Sequence, residues 1–511
     1  MKGKFNVLQI GTHNDSSNFD YDARIKWYFI DVSMLVHDMT EQVNLYLKDV
    51  KAFDLVLVET EMSEALEELL LKVMTPYNTI VDHRFWHTCY TLAPYKHFIV
   101  KPLAYRNNDE RLDQLKTIAF SGQYGDKMIP ARAVVNPLYE GNVSYFGNKY
   151  VVLEDGMRDD FEQLLTWKFN VYYEKQKLIT LWLEYIAQGD ITLKMKLRVM
   201  DRNTNEILET FEVEGEDLLN PVEIARRDQD ANVTVSLFAK GCGTLKVGAL
   251  HRRWSRHNFG EFIMGGKRFS DNQRDEFIYY FDPGDMKPPL NVYFSGYRTA
   301  EGFEGYFMMK KMGAPFLLIG DPRIEGGAFY LGSEAYEQGI TDVIRESLET
   351  LGFAPDELIL SGLSMGSFGA LYYGAKLLPS AVIVGKPLVS IGTVAENIRL
   401  LRPEEFGTSL DVLLTNTGDI DCQAIDTLNA KFWNIFETVD ISKITFGISY
   451  MQDDDYDLYA YDQLLDVLSK RHAKVMGRGI PGRHNDDSLT IANWFLNFYA
   501  MILSTKFGRD A

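Results

Sequence analysis

The chain has 511 residues, 46% of them hydrophobic and 24% charged, a balance that belongs to a folded globular protein and, at roughly 150 residues per domain, to about three domains. Its 72 acidic and 53 basic residues leave a formal net charge of -19, which repels phosphate backbones and speaks against nucleic acid as a partner. The three cysteines, Cys89, Cys242 and Cys422, form no C-x-x-C pair, so a zinc knuckle and a disulfide framework are both disfavoured and a reducing compartment fits.

The opening stretch Met1-Lys2-Gly3-Lys4-Phe5-Asn6-Val7-Leu8-Gln9-Ile10 carries positive charge, but its apolar run is short and alternates with polar residues, and it lacks a small-residue cleavage site. It reads as a first strand, not a signal peptide. No run of about 18 apolar residues occurs, so a transmembrane helix is not expected and the chain is assigned to the cytoplasm. Residues 1–145 mix strand-like runs (5–10, 55–58) with a helix over 63–73, where Leu66, Leu69, Leu70 and Val73 recur at three and four behind a Ser63 cap, and so predict an α/β layer domain. Gly11-Thr12-His13 lacks the G-x-G-x-x-G that lets a backbone approach a pyrophosphate, so no dinucleotide is expected. His83 and His87 stand at i, i+4 with Cys89 two residues on, but no Glu follows His83 as in H-E-x-x-H; an aromatic-rich loop or helix is the better reading, with no metal and no cofactor.

From residue 146 to 270 the texture is that of strands. Ile191, Leu193, Met195, Leu197 and Val199 alternate with polar residues, and Val233, Val235 and Leu237 repeat the pattern, while Asn203-Thr204-Asn205 and Gly241-Cys242-Gly243 supply turn chemistry. An antiparallel β-sandwich follows, a candidate glycan-binding or docking module in which Trp167, Tyr172, Tyr173, Trp182 and Tyr185 are expected to be mostly core. Residues 271–511 then alternate strands (276–281, 290–294, 316–319) with a helix over 333–351, giving a mostly parallel sheet of α/β-hydrolase type.

The chemistry of this last part centres on Gly362-Leu363-Ser364-Met365-Gly366, which follows the apolar Leu358-Ile359-Leu360 and precedes the small-residue segment Ser367-Phe368-Gly369-Ala370-Leu371. Strand, sharp turn and helix around G-x-S-x-G make a nucleophile elbow, with Ser364 the nucleophile. A serine hydroxyl needs a base and the base a carboxylate, in the chain order Ser, acid, His. Only His472 and His484 follow Ser364. His484 sits in a loop after a strand, where the base belongs, whereas His472 lies in the basic run Ser469-Lys470-Arg471-His472. The acid belongs after the strand 444–450, in the cluster Asp453, Asp454, Asp455; spacing does not choose among the three, and Asp419 and Asp421 lie too early. The Met365 amide, with Gly296 and Tyr297 of the loop Ser295-Gly296-Tyr297-Arg298, would form the oxyanion hole. Arg298 is a surface or ion-paired residue, or a contact for an anionic group.

Three stretches give a more specific signal than the pentapeptide: Gly362 through Gly369, Tyr450-Met451-Gln452-Asp453-Asp454-Asp455-Tyr456-Asp457, and Gly482-Arg483-His484-Asn485, behind an N-terminal section opening Phe5-Asn6-Val7-Leu8-Gln9-Ile10-Gly11. With them the whole chain resembles the second accessory Sec system protein family of Gram-positive bacteria. That resemblance implies an O-acetyltransferase acting on N-acetylglucosamine of serine-rich repeat adhesins, and a role in adhesin export beside two sister accessory proteins and the accessory SecA motor, reaching the membrane only peripherally through that machinery. It also implies a triad of Ser364, Asp454 and His484, the acid being glutamate in some members. The rival readings are a carbohydrate esterase or deacetylase, in which water and not a sugar meets the acyl-enzyme, and an export adaptor that keeps the fold without the chemistry.

Overall fold

The computed structural model describes residues 4–36, 40–401 and 406–509; residues 1–3 of the opening stretch lie outside it, and the strand read there runs Phe5–Gly11. That strand is central in an all-parallel five-stranded sheet, flanked by Ile25–Asp31 and Leu55–Val58, with Thr79–Asp82 and Lys101–Leu103 beyond the latter. Alternate side chains enter opposite cores, as the two-residue period of a strand requires. Leu8, Ile10, Val56 and Val58 pack in one cluster and Phe5, Val7, Leu55 and Leu57 in the other. The helix expected over 63–73 forms as Glu64–Val73, with Ser63 Oγ accepting the Leu66 N–H at 3.2 Å.

The middle of the chain is built of strands around one core, as its alternation predicts. Ten strands belong to one hydrogen-bonded sheet, held together by two long antiparallel strands, Leu178–Asp201 and Ala231–Ser255. Gly125–Met128 and Ala133–Val135, upstream of residue 146, join it. Leu193, Met195, Leu197 and Val199 are buried as their alternation predicts. Gly241-Cys242-Gly243, read as a turn, lies inside Ala231–Ser255 instead. There Gly241 has φ 110°, and a Cβ would stand 1.8 Å from the Asp190 carbonyl oxygen, so the glycine serves a close approach of two strand backbones, not a reversal. Trp167, Tyr173 and Trp182 are buried and Tyr172 and Tyr185 half-buried, so these aromatics are largely core.

The third sheet positions the candidate site. In chain order its strands are Lys267–Ser270, Glu276–Asp282, Leu290–Phe294, Phe316–Gly320, Leu358–Leu363, Ala381–Gly385, Thr445–Met451 and Lys474–Ile480. In space the third and fourth exchange places, and all pairings are parallel except those of Glu276–Asp282. Both faces are covered. Val292, Leu360 and Val382 face the cluster holding Phe368 and Leu371 of helix Met365–Leu377, and Tyr293, Ile359 and Ile383 face Phe495, Phe498 and Tyr499 of helix Ser488–Phe507. Exchanging two strands opens a crevice at the carboxyl ends of the parallel strands, and the residues from four such ends meet there.

Candidate active site

Ser364 ends the strand Leu358–Leu363 and caps the helix Met365–Leu377, with φ 52° and ψ -121°. This left-handed backbone is uncommon for a residue with a side chain, and neighbouring hydrogen bonds hold it. The Ser364 N–H donates to Gly385 O at 2.8 Å, and Ser364 O accepts from the Ser367 N–H at 2.8 Å and the Ser367 hydroxyl at 2.5 Å. The flanking glycines are required by contact: a Cβ on Gly362 would lie 2.2 Å from Gly366 O, and one on Gly366 would lie 2.1 Å from Phe294 O.

Asp454 and His484 arrive from the ends of the last two parallel strands, Thr445–Met451 and Lys474–Ile480. Ser364 Oγ is 2.8 Å from His484 Nε2, and His484 Nδ1 is 2.8 Å from Asp454 Oδ2. Because a carboxylate oxygen only accepts, Nδ1 carries the imidazole hydrogen, which leaves Nε2 as the acceptor for the Ser364 hydroxyl. Burial chooses within the acidic cluster: Asp454 is buried, Asp455 half-buried and Asp453 exposed. Each has separate work. Asp454 Oδ1 accepts the Tyr456 N–H at 3.0 Å, Asp455 Oδ1 accepts the His484 N–H at 3.1 Å, and Asp453 Oδ2 accepts the Gly482 N–H at 3.3 Å. His472 is exposed at the end of helix Ala460–Lys470, and Asp419 and Asp421 are exposed, Asp421 capping Cys422–Phe436. None of the three joins Ser364.

The residues read as an oxyanion hole are differently placed from one another. Met365 is the first residue of its helix, whose opening amides have no acceptor within the helix. The Gly296 N–H, by contrast, donates to Glu304 Oε2 at 2.7 Å and is thus already engaged by a carboxylate. Tyr297 is 37% exposed and packs its ring on Gly326, while the Arg298 N–H anchors the same loop to Gly326 O at 3.1 Å. Far from this site, His83 Nδ1 donates to Leu103 O at 3.1 Å and His87 Nδ1 accepts the Cys89 N–H at 3.2 Å, so both histidines serve short 3-10 turns.

Three participants carry no motif of their own. The Tyr456 ring stacks on His484 at 4.2 Å with planes 4° apart and keeps one imidazole face dry. Asp457 is buried, and its Oδ2 accepts the Val389 and Ser390 N–H groups at 2.8 Å each. Burial pushes its carboxyl up to about 6 against those two donors, with the Asp454 charge adding to the rise. Lys386, buried with φ 52°, donates to Ser488 Oγ at 3.0 Å; burial lowers its ammonium pKa while the Asp454 charge opposes that. Tyr456 and Asp457 fell within the quoted acidic stretch but were masked by its three aspartates, and Glu304 lies in a loop with no local signature.

A serine, an imidazole and a carboxylate in hydrogen-bonded series at the carboxyl edge of a mostly parallel, doubly covered sheet define the class: an α/β protein with a nucleophile-elbow site. The sequence profile described as accessory Sec system GspB-transporter matches residues 5–509, and the chain belongs to that family, the one its motifs resemble. It is 51% identical over 513 residues to an accessory Sec system protein of Staphylococcus aureus (strain NCTC 8325 / PS 47), covering 100% of this chain and 98% of that one. It is 37% identical over 514 residues to its counterpart from Streptococcus gordonii, each covered in full at 100%. Among solved structures, a chain of the glycosylation associate protein complex (Gap123) from Streptococcus agalactiae matches with TM-score 0.91 and 38% identity over 100% of both chains. Among the described residues no helix is long and apolar enough to cross a membrane.

Proposed function

We propose that this chain is a serine acyltransferase of α/β-hydrolase type that O-acetylates sugar, N-acetylglucosamine in the first instance, on serine-rich repeat adhesins, and that it works within the accessory Sec route that exports them. The observation that carries the reading is the unbroken series from Ser364 Oγ to His484 Nε2 and from His484 Nδ1 to Asp454 Oδ2, both 2.8 Å, on a strained elbow. In the first half-reaction His484 takes the hydroxyl proton as Ser364 Oγ bonds the acetyl carbonyl carbon, then returns that proton to the donor's leaving group. In the second, His484 takes a proton from the sugar hydroxyl, whose oxygen attacks the acyl-enzyme, and gives it back to Ser364 as the ester leaves. The Met365 amide stabilises the oxyanion in both steps. Because the Gly296 amide is held by Glu304, the Tyr297 amide is the second donor in this reading.

Family membership and the complex seen for the Streptococcus agalactiae relative support two sister accessory proteins as partners; the accessory SecA motor, the adhesin and a cytoplasmic site peripheral to the membrane complete the reading. Ser364→Ala is the direct test. Adhesin made with this variant should lose its sugar O-acetyl groups by mass spectrometry, and the purified variant should lose fluorophosphonate labelling. Unchanged acetylation would sink the transferase reading. Collapse of export with acetylation intact would make the adaptor role primary, and release of free acetate without glycan modification would make the chain an esterase.

A further inference from the structure

Between the second and third sheets the molecule has an open cleft of about 370 Å³ that includes no residue of the triad. Its walls come from two sheets. Asp126 and Lys127 lie on the strand Gly125–Met128, Arg252 on Ala231–Ser255, and Phe169 on the short link before Val171–Tyr173; Thr299 and Glu325 face them from loops of the third sheet. The two sides are fixed against each other. Glu301 N–H donates to Gly125 O at 2.8 Å, Lys127 Nζ donates to Pro322 O at 2.6 Å, and Gln123 Nε2 donates to Phe303 O at 2.8 Å. The cleft therefore exists before any ligand arrives.

Its chemistry is specific. Phe169 is 49% exposed although it is a large apolar ring, and the Arg132 guanidinium stands 5.1 Å from its centroid, so an aromatic face and a planar polar group border the opening together. Arg252 is oriented by Asp126, with Nε–Oδ1 at 2.9 Å and Nη2–Oδ2 at 2.5 Å, by the Tyr124 hydroxyl and by the Tyr172 carbonyl at 2.7 Å, which fixes its plane and leaves one Nη1 hydrogen for a ligand. Val171 and Leu250 supply an apolar floor. Basic and acidic groups are interleaved, with Arg252 and Lys127 already neutralised by Asp126 and Glu301, which suits a neutral ligand better than a phosphate. A ring face, an apolar floor and fixed planar hydrogen-bonding groups match a pyranose, which has one C–H face and a rim of hydroxyls.

Side-chain contacts link the rim of the cleft to the triad. Glu325 on its rim adjoins Gly326, on which the Tyr297 ring rests; Tyr297 meets Phe406 at 5.1 Å, Phe406 stacks on Tyr456 at 5.5 Å, and Tyr456 stacks on His484. A series of ring contacts thus connects the imidazole to the loop that carries Glu325. We infer that this cleft is an acceptor subsite, binding a neutral sugar unit of the glycan beyond the one whose hydroxyl reaches Ser364. The inference rests on the acyl-transfer reading for its acceptor class but not for its test.

The experiment is equilibrium binding of di-N-acetylchitobiose to the full-length Ser364→Ala chain, by calorimetry and saturation-transfer NMR, with an unglycosylated serine-rich peptide in parallel. The disaccharide should bind, and Phe169→Ala, a change at an exposed ring that leaves thermal unfolding where it was, should weaken it about tenfold. Glu325→Ala, equally exposed, should weaken it by a smaller factor. No binding of the disaccharide, binding indifferent to Phe169→Ala, or preference for the bare peptide overturns the subsite. Absence of labelling at Ser364 in the unsubstituted chain would overturn the acyl-transfer reading instead, and leaves the binding result to stand by itself.

Discussion

At the scale of single residues, Asp454 shows how one carboxylate among three becomes part of a site. Its burial and its 2.8 Å contact to His484 Nδ1 fix the tautomer that lets Nε2 accept from Ser364, whereas Asp455 accepts the His484 backbone N–H. Asp454→Asn presents either an amide N–H or a weaker acceptor to Nδ1 and removes the charge that supports an imidazolium. The rate of fluorophosphonate labelling should fall about 10³–10⁴-fold. Asp455→Asn keeps an acceptor oxygen for the His484 N–H and should stay within a few-fold of the unsubstituted rate, which the same labelling assay measures. Equal losses for the two variants would mean that the cluster acts as a whole and not through Asp454.

At the scale of elements, the loop that carries Asp454 is tied to the helix Ile391–Leu401 by Asp457, whose buried carboxyl receives the amides of Val389 and Ser390 just before that helix begins. Raised to about 6, this carboxyl keeps its proton in the folded chain over a range where the unfolded chain, near 3.8, has lost it. Its contribution to stability is therefore fully present at low pH, declines as pH rises from about 4 to about 6, and is absent above. Asp457→Asn keeps an acceptor for both amides without the buried charge. Relative to the unsubstituted chain it should gain on the order of 2 kcal/mol between pH 4.5 and pH 8 in denaturant midpoints. A stability difference independent of pH would show that the carboxyl is charged in the fold throughout.

At the scale of the whole molecule, the joint between the antiparallel sheet and the third sheet is ionic and dry. His251, fully buried, directs Nδ1 at Glu301 (2.6 Å) and Nε2 at Glu184 (2.9 Å), while Arg253 Nε donates to Glu301 at 2.6 Å and Nη1 pairs with Glu276 at 2.5 Å. Burial by itself would lower the imidazole pKa, but the Glu301 charge and the hydrogen bonds to Glu184 and Glu301 outweigh it and hold the pKa above its ordinary value. With the folded pKa raised, the imidazolium's contribution is complete below the unfolded value of about 6.5 and is lost as pH rises through the folded value. His251→Gln should lower apparent stability by about 3–5 kcal/mol at pH 6 by breaking a buried pair, and by less at pH 9. Chemical denaturation at the two pH values checks this, and an equal loss at both would mean that the ring is neutral in the fold.

Much of the candidate site was legible in the chain because its signals are local. The elbow needs glycines on either side of Ser364, only two histidines lie downstream as candidate bases and one of them follows a strand, and the strand and helix periods place the candidate acid in one loop. Helix Glu64–Val73 with its Ser63 cap was legible for the same reason. Contacts between residues distant in sequence were not: Gly241, a turn by composition, is a kink inside a 25-residue strand because Asp190 approaches it, and the Gly296 amide is engaged by a glutamate eight residues on. The sequence by itself determined the types of group and their order along the chain, since backbone strain, alternation and capping act within a few residues. Only the tertiary structure decided which aspartate is buried against His484, that the Gly296 amide is already engaged, and that a cleft opens between two sheets, because burial and hydrogen-bond occupancy depend on what the rest of the chain brings near.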